Sequence, residues 1–361
     1  MRRRSLTVLA LAATVLVAAA AGCGDAGSAK DRSSLGRPAT GPILGINANT
    51  LGYGTAVAGA QDAVRRTGIR TLREELSWYL IEPRRGQRHW AATDRLMVQA
   101  AHRGMRMLVL LHGIPSWARR PNGGLPTRTA AYAAYVRDVV ARYGPGGTFW
   151  RAHPTLPRAS APQWFELWNE PYFAHPARSL LDATRYAALA DAGLRAGRKA
   201  NPRARFLLEA DTYFLGDPRV SDRWLDRLDR ALPGLLDRAD GVAAHPYSDD
   251  PAVSLDALDQ LRSQLIRRGH DLPVWVTEIG WSTCPRRSDG CVTEARQAAN
   301  LTAFLTGMRR RPVSAFPAVF VYSMHDLRGP TVSREEFFGA LRRNDTRKPA
   351  WRVLRRFSGA R

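Results

Sequence analysis

Lysine is almost missing from this chain. Only Lys30, Lys199 and Lys348 contribute to its 54 basic residues, and the formal net charge is nonetheless +22. So basic a chain ordinarily raises nucleic acid as a partner. Here the arginines are spread along the whole length instead of clustering on one stretch, which marks a compositional bias and argues against that partner. Attraction to anionic wall polymers or acidic glycans is the weaker consequence left open. Cysteine is scarce as well, at three residues. Cys284 and Cys291 lie close together with no histidine in the stretch, so the ligands for a metal site are lacking. Two readings of the pair stand: a small disulfide, if the loop is extracytoplasmic, or two free thiols. Nothing in the sequence asks for a metal or a cofactor, and no internal repeat is present.

The N-terminus points to export. Met1-Arg2-Arg3-Arg4 precedes an apolar, alanine-rich run from Leu6 to Ala21 that is short for a membrane span and has the charged and hydrophobic regions of a secretory signal. The sequence Ala20-Ala21-Gly22-Cys23 resembles the lipobox of bacterial lipoproteins, with Ala20 in place of the usual leucine. That likeness implies lipidation of Cys23, the alternative being ordinary cleavage nearby. Residues 1–22 are then a signal peptide, 23–40 a flexible tether rich in small and charged residues, and 41–361 one domain. An exported protein seldom meets nucleic acid, and contact with a membrane is expected only through a lipid anchor at Cys23. The domain is expected to act as a monomer.

From residue 43 onward, apolar and β-branched strand candidates alternate with longer helical patterns, the signature of βα units and a parallel sheet. Eight such units can be counted. Their strands are expected at 43–47, 69–75, 106–112, 164–170, 206–210, 241–245, 272–278 and 316–323, with helices near 55–67, 93–103 and 129–143. Eight units within 361 residues, 45% of them hydrophobic, suit a single α/β fold, the (β/α)8 TIM barrel with enlarged βα loops. Two loops look enlarged: residues 144–162 before the fourth strand and the cysteine loop after the seventh, either of which could wall off one end of a cleft.

In such a barrel the C-terminal strand ends open onto the active site. The fourth strand ends Trp168-Asn169-Glu170-Pro171, an amide and a carboxylate closed off by a proline, and the seventh ends Thr277-Glu278-Ile279-Gly280-Trp281. Two strand-terminal glutamates in one barrel are what glycoside hydrolysis needs: one to act as acid/base, the other as nucleophile or as the base that activates water. These two motifs resemble the retaining glycoside hydrolases of clan A, a group that includes cellulases, xylosidases and mannanases. Trp78-Tyr79-Leu80-Ile81-Glu82-Pro83, Pro115-Ser116-Trp117-Ala118, Arg142-Tyr143-Gly144-Pro145-Gly146-Gly147 and Lys348-Pro349-Ala350-Trp351 are similar to the family 39 and family 5-like branch.

The resemblance implies Glu170 as acid/base, Glu278 as nucleophile, and Asn169 as partner of the sugar 2-hydroxyl. It further implies that Arg73 sits against the nucleophile, the alternative being an ion pair with Glu74 or Glu75. His112 would touch sugar hydroxyls or be a satisfied core histidine. Tyr247 would donate to the nucleophile and His245 would neighbour the acid/base. Where many clan members carry a tryptophan platform, the eighth strand ends Tyr322-Ser323-Met324-His325, so Tyr322 or His325 would replace it, or Trp281 or Trp351 would come in from the side. Trp78, Trp117, Tyr172 and Tyr213 are further candidate platforms, each equally able to serve as loop packing. Glu166 and Glu209, within strands, are expected to have paired structural roles. The function implied is retaining hydrolysis of β-glycosidic bonds in an oligo- or polysaccharide. Transglycosylation through the same intermediate and glycan binding without chemistry are the alternatives.

Overall fold

In the computed structural model the strands do close on one another. The structure describes residues 41–48, 50–51, 57–120, 124–126, 128–173, 183–210, 218–285, 290–327 and 333–359, with backbone alone for 58 and 218–223. The strands are β1 (Ile43–Asn47), β2 (Thr71–Glu75), β3 (Arg106–Leu111), β4 (Trp164–Leu167), β5 (Arg205–Glu209), β6 (Gly241–Ala244), β7 (Val274–Ile279) and β8 (Ala318–Val321). They form a closed barrel in sequence order, and every pairing is parallel, including β8 back onto β1. The helices are α1 (Val57–Arg66), α2 (Trp78–Ile81), α3 (Ala91–His102), α4 (Thr129–Tyr143), α5 (Thr148–Ala152), α6 (Ala183–Ala200), α7 (Pro218–Ala231), α8 (Pro251–Arg267), α9 (Glu294–Arg309) and α10 (Pro349–Ser358). This is the (β/α)8 architecture expected from the sequence. No helix among the described residues is long and apolar enough to cross a membrane. Cys23, the signal, the tether and Tyr213 lie outside the described residues.

β2, β7 and β8 each start two residues later than their apolar runs suggest, and in the last two proline is the reason. Pro273 and Pro317 have no N–H to offer a ladder, but their carbonyls accept from Val242 and Ile43 at 3.0 and 2.8 Å. Side chains alternate between the barrel interior and the helical shell, as strand geometry requires. Ile43, Leu108, Trp164, Leu207, Ala243, Trp275, Ala318 and Phe320 make the inner apolar layer. Gly45 completes it, because a Cβ there would lie 2.4 Å from the Phe320 ring. Trp164 on β4 meets Trp275 on β7 across the barrel, ring centroids 4.3 Å apart. One alternation further along each strand, Glu166 and Thr277 face each other, with Thr277 Oγ1 donating to Glu166 Oε1 at 3.0 Å. The apolar layer thus sets the distance at which everything above it on β4 and β7 meets.

The loops divide by function. The enlarged segment before β4 carries α5, with Phe149 and Trp150 fully buried, and Trp150 Nε1 donates to the Tyr143 carbonyl at 2.7 Å. Because it precedes a strand, it lies at the N-terminal end of the barrel and cannot wall a cleft at the other end, contrary to the expectation. The loop after β7 does reach the mouth. Cys284 and Cys291 are joined by a disulfide, and Thr283 N–H and Oγ1 both bond the Phe337 carbonyl, at 3.0 and 3.1 Å. Lys348 Nζ ties the same segment down, donating to Asp326 Oδ1 at 2.6 Å and to Thr283 Oγ1 at 2.7 Å.

Candidate active site

Above the tryptophan layer the inward polar side chains of β1, β2, β4 and β7 join one network. Arg73 on β2 is its hub and is buried. Its Nε and Nη2 hold Glu166 in a two-pronged grip at 2.6 and 2.9 Å, its Nη1 donates to Asn47 Oδ1 at 2.9 Å and Glu278 Oε1 at 2.6 Å, and its Nη2 also reaches Asn169 Oδ1 at 2.8 Å. Arg73 therefore ties Glu166 and Glu278, and the alternative partners are engaged elsewhere. Glu74 faces outward and accepts from Thr50 N–H and Oγ1, both at 3.0 Å. Glu75 takes the Ser77 hydroxyl at 2.7 Å and lies 3.5 Å from His112 Nδ1. Burial alone would lower the affinity of Arg73 for its proton, but the charges of Glu166 and Glu278 raise it further still.

Glu170 and Glu278 reach the same small space by two backbone devices. At the end of β7 the pairing register with β8 shifts between Val276 and Ile279. This irregularity lets consecutive residues, Thr277 and Glu278, both turn inward. After β4, Trp168 and Glu170 have φ of 79° and 44°. That left-handed region costs a non-glycine residue on the order of 1–3 kcal/mol and survives only when the surroundings hold it. Here Trp168 is buried with its ring against His112 and Tyr132, centroids 4.8 and 5.6 Å away.

A carboxylate oxygen of Glu170 and one of Glu278 lie within 4.8 Å of each other, with a His245 ring nitrogen between them at the same limit. Their surroundings differ. Glu278 accepts from Arg73 and from the Tyr247 hydroxyl, the latter at 2.9 Å from Oε2. Burial would push its carboxyl up, but the His245 and Arg73 charges and these two hydrogen bonds outweigh it and hold Glu278 below its ordinary value. Glu170 has His245 Nδ1 at 2.9 Å from Oε1 and the Tyr172 hydroxyl at a longer 3.4 Å. His245 is fully buried, and although burial lowers its pKa, Glu278, Glu209 and Glu170 carry it up to about 10.

Groups able to converge on a cation are Glu170, His245 and Glu278, and Glu166, Glu209 and His245. In both sets the cationic Arg73 already grips one carboxylate at 2.6 Å. The Thr277 hydroxyl proton is spent on Glu166, so the His245 Nε2 at 3.0 Å donates to Thr277 and has no lone pair to give a metal.

Of the remaining expected residues, the structure removes three from the sugar surface. Trp78 is completely buried, with its Nε1–H spent on Glu82 Oε2 at 2.7 Å and its ring stacked on Tyr135. Trp281 is buried against Phe304 and donates to the Ser248 carbonyl at 2.8 Å. Trp351 is buried under Arg347. Their faces are core packing: Trp78 lies on α2, Trp351 on α10 and Trp281 in the segment after β7, all three buried. Tyr172 is likewise buried, and Trp117 is half-buried with its Nε1–H on the Glu82 carbonyl. His325 turns to Asp345 at 3.1 Å. Tyr322 is buried with its ring edge on Phe338, which also touches Tyr247.

Sequence reasoning missed Asn47, whose Nδ2 donates to the Thr277 carbonyl at 3.0 Å, and Thr277 itself. It also missed Glu335, which burial and the charges of Glu170 and Glu278 push up, and Tyr79, a large side chain exposed at the mouth. The period-two alternation would have found the first two. Glu166 is paired as expected. Glu209 is not: among the described residues neither of its oxygens has a hydrogen-bond partner, although it is 1% exposed.

No family model and no curated protein matches the chain. Solved structures do. A family 39 glycoside hydrolase from Bacteroides cellulosilyticus WH2 superposes with a TM-score of 0.67 at 21% identity, over 89% of this chain and 64% of that one. The fold is that of the clan A glycoside hydrolases. An exo-β-1,4-mannosidase from Opitutaceae bacterium strain TAV5 gives 0.62 at 19% identity, over 91% and 62% of the two chains. A GH5_18 protein from Streptomyces cattleya in complex with GlcNAc gives 0.63 at 18% identity, over 89% and 80%. The chain thus spans less than two thirds of the length of the first two.

Proposed function

We propose that the protein is a retaining glycoside hydrolase acting on β-glycosidic bonds, with Glu278 as nucleophile and Glu170 as acid/base. The observation that carries this reading is the approach of their carboxylate oxygens to within 4.8 Å. Retaining enzymes hold the two carboxyl groups about 5–5.5 Å apart, whereas inverting ones leave room for a water between them. The neighbours of the fold, an exo-β-1,4-mannosidase and a family 39 glycoside hydrolase among them, support it.

The two environments suit the two steps. Glu278, kept ionised by Arg73 and Tyr247, attacks the anomeric carbon while Glu170 passes a proton to the departing oxygen. Water then attacks the glycosyl–Glu278 ester as Glu170, now a base, takes its proton, and the anomeric configuration is restored. Arg73 fixes the Asn169 oxygen, which leaves the Asn169 NH2 as the donor to the hydroxyl beside the bond being broken. The substrate is a carbohydrate, the domain spans residues 41–361, and the protein is exported with Cys23 as its lipid anchor. Labelled palmitate, incorporated into the wild type and not into Cys23→Ser, tests the anchor.

The function is tested by screening purified protein on aryl β-glycosides, xylan, mannan and β-glucans. Glu278→Gln should abolish turnover with the fold intact, and azide should convert Glu278→Ala to an enzyme that makes the α-glycosyl azide. A Glu278→Gln variant as active as wild type, or a first-formed sugar of inverted configuration, ends the proposal.

A further inference from the structure

Among the described tryptophan, tyrosine and phenylalanine side chains, Tyr79 alone is exposed, at 38%. It stands at the same end of the barrel as Glu170 and Glu278 and walls a groove between the loops that follow β2 and β3. Tyr79 and Pro83 line one side of that groove and Ile114, Pro115, Ser116 and Arg119 the other, around a volume of about 350 Å³. Sites for small ligands run from about 300 to 1,000 Å³ and are mostly apolar with a few polar groups. Here the ring and the prolines supply the apolar surface, and the exposed Ser116 and Arg119 supply hydrogen-bond donors at the rim.

Both walls are held in place from below. Trp117 Nε1 donates to the Glu82 carbonyl at 2.9 Å, Trp78 Nε1 donates to the Glu82 carboxylate at 2.7 Å, and the two indoles meet edge to face with centroids 5.4 Å apart. The Ala118 N–H closes the second wall on the Pro115 carbonyl at 2.9 Å. Gly113 joins the groove to the mouth. Its φ is 85°, and a Cβ there would lie 2.9 Å from Tyr79 Cδ1 and 3.0 Å from Glu75 Oε1. Glycine therefore lets one side of the Tyr79 ring rest on the chain.

A continuous path leads from the reacting groups to this ring. β3 lies between β2, which carries Arg73, and β4, which leads to Asn169. Just after β3, the His112 ring sits 4.8 Å from that of Trp168, and its Nδ1 lies 3.5 Å from Glu75 Oε1; the His112 and Glu75 side chains are 31% and 22% exposed. With the Asn169 amide on the hydroxyl beside the bond being broken, that edge of the sugar faces β3, and its farther hydroxyls point over His112 and Glu75. A chain continuing from them crosses Gly113 and reaches Tyr79. We propose that the groove is the subsite for a second sugar unit on the nonreducing side of the cleaved bond, with the Tyr79 ring as its platform. Aromatic faces bind the C–H surface of a sugar while its hydroxyls reach donors at the rim. The substrate is then a β-linked chain with at least two units ahead of that bond. The inference rests on the hydrolase reading above and adds the extent of glycan that the site takes.

The test follows nitrophenol release from nitrophenyl β-glycosides taken in pairs: glucoside with cellobioside, xyloside with xylobioside, mannoside with mannobioside. The aryl group occupies the leaving-group side, so the added sugar can only extend the other way. Wild type should favour the disaccharide member of the pair it cleaves by at least about tenfold in kcat/KM, the gain expected from burying one sugar face on an aromatic ring. Tyr79→Ala removes the platform, and Ser116→Trp fills the groove from its exposed rim. Each should bring the ratio to within about twofold of one, and the ratio cancels any loss common to both substrates. Melting curves establish that the variants fold, and Ser116→Trp carries the test if Tyr79→Ala does not. A wild-type ratio near one, or a preference that survives either substitution in a folded variant, would overturn the proposal. Calorimetric titration with cellobiose, xylobiose and mannobiose against their monosaccharides gives a readout independent of turnover. If wild type cleaves none of the glycosides yet binds one disaccharide at least about tenfold tighter than its monosaccharide, and Tyr79→Ala or Ser116→Trp loses that gain, the subsite stands and the hydrolase reading falls. If neither turnover nor binding favours a disaccharide, the subsite falls.

Discussion

Replacing Tyr247 with phenylalanine removes one hydroxyl and leaves the ring, its edge contact with Phe338 and the backbone after β6 in place. The hydroxyl donates to Glu278 Oε2 at 2.9 Å, while Arg73 Nη1 serves Oε1 at 2.6 Å. A hydrogen bond to a charged group contributes about 1.5–3 kcal/mol. At 1.36 kcal/mol per unit, losing it raises the carboxyl pKa by about 1–2 units, with Arg73 retaining the rest of the depression. The sign follows from what the native site does. Glu278 is held below its ordinary value, so its stabilising contribution is present above the unfolded pKa and disappears as pH falls through the folded one. Tyr247→Phe should therefore move the acid limb of kcat/KM up by about 1–2 pH units and lower thermal stability at neutral pH. At a pH where Glu278 is protonated in both proteins, the two should melt alike. Initial rates on an aryl glycoside across the pH range, with melting curves at both pH values, measure this. An acid limb that stays put, or a shift of the alkaline limb in its place, would refute the assignment of Glu278 as the ionised partner.

Three further outcomes are expected. Glu170→Ala should lose about 100- to 10,000-fold in kcat/KM on a phenyl glycoside yet keep the first step on a dinitrophenyl glycoside, and azide should yield the β-glycosyl azide; equal loss on both substrates contradicts the acid role. Glu74, raised to about 7 by burial against the opposing Thr50 hydrogen bonds, binds its proton more tightly folded than unfolded. Stability should thus fall by about 3 kcal/mol as pH rises from 4.5 through 7, and Glu74→Gln should flatten that dependence in urea titrations. Lys348→Met leaves Asp326 buried without its cation and should cost about 3–5 kcal/mol, read from denaturant midpoints, with the segment around Phe337 the first to lose hydrogen-exchange protection.

Much of the fold was legible because barrel strands carry short, dense signals. The strand positions at 43–47 and 106–111 can be read almost to the residue, and eight alternations of strand and helix leave few other architectures. Where the reading drifted, a local rule had been outweighed. Prolines at 273 and 317 delay their strands, and the enlarged loop before β4 was credited to the cleft only because loop length does not say which end of the barrel a loop occupies. Strand-end tryptophans invited the largest misreading. Trp78, Trp281 and Trp351 lie near βα loops, as sugar platforms would, but a platform is distinguished from packing by what covers its face. For Trp78 and Trp281 that depends on Tyr135 and Phe304, residues distant in sequence, and for Trp351 on how the backbone folds Arg347 over its ring. Glu209 failed for the opposite reason. Pairing is the usual fate of a strand carboxylate, and only the interior shows that Arg73 spends its fork on Glu166.

The division of labour between the two candidate catalytic glutamates is decided below them. Inward positions one alternation short of the strand ends, Arg73, Glu166 and Thr277, form a layer whose protons are directed: from Arg73 to both Glu166 and Glu278, from Thr277 to Glu166, and from His245 to Thr277. Each donor spent in one direction is withheld in another. Arg73 gives Glu278 its cation, and because Thr277 turns its hydroxyl to Glu166, His245 must offer Glu170 its remaining nitrogen. Two carboxyl groups within 4.8 Å would repel if both were ionised. The layer eases that conflict by giving Glu278 a permanent cation in Arg73 and Glu170 a hydrogen bond with the His245 ring. Glu278 so supported stays ionised, which is what the nucleophile of the proposed double displacement requires.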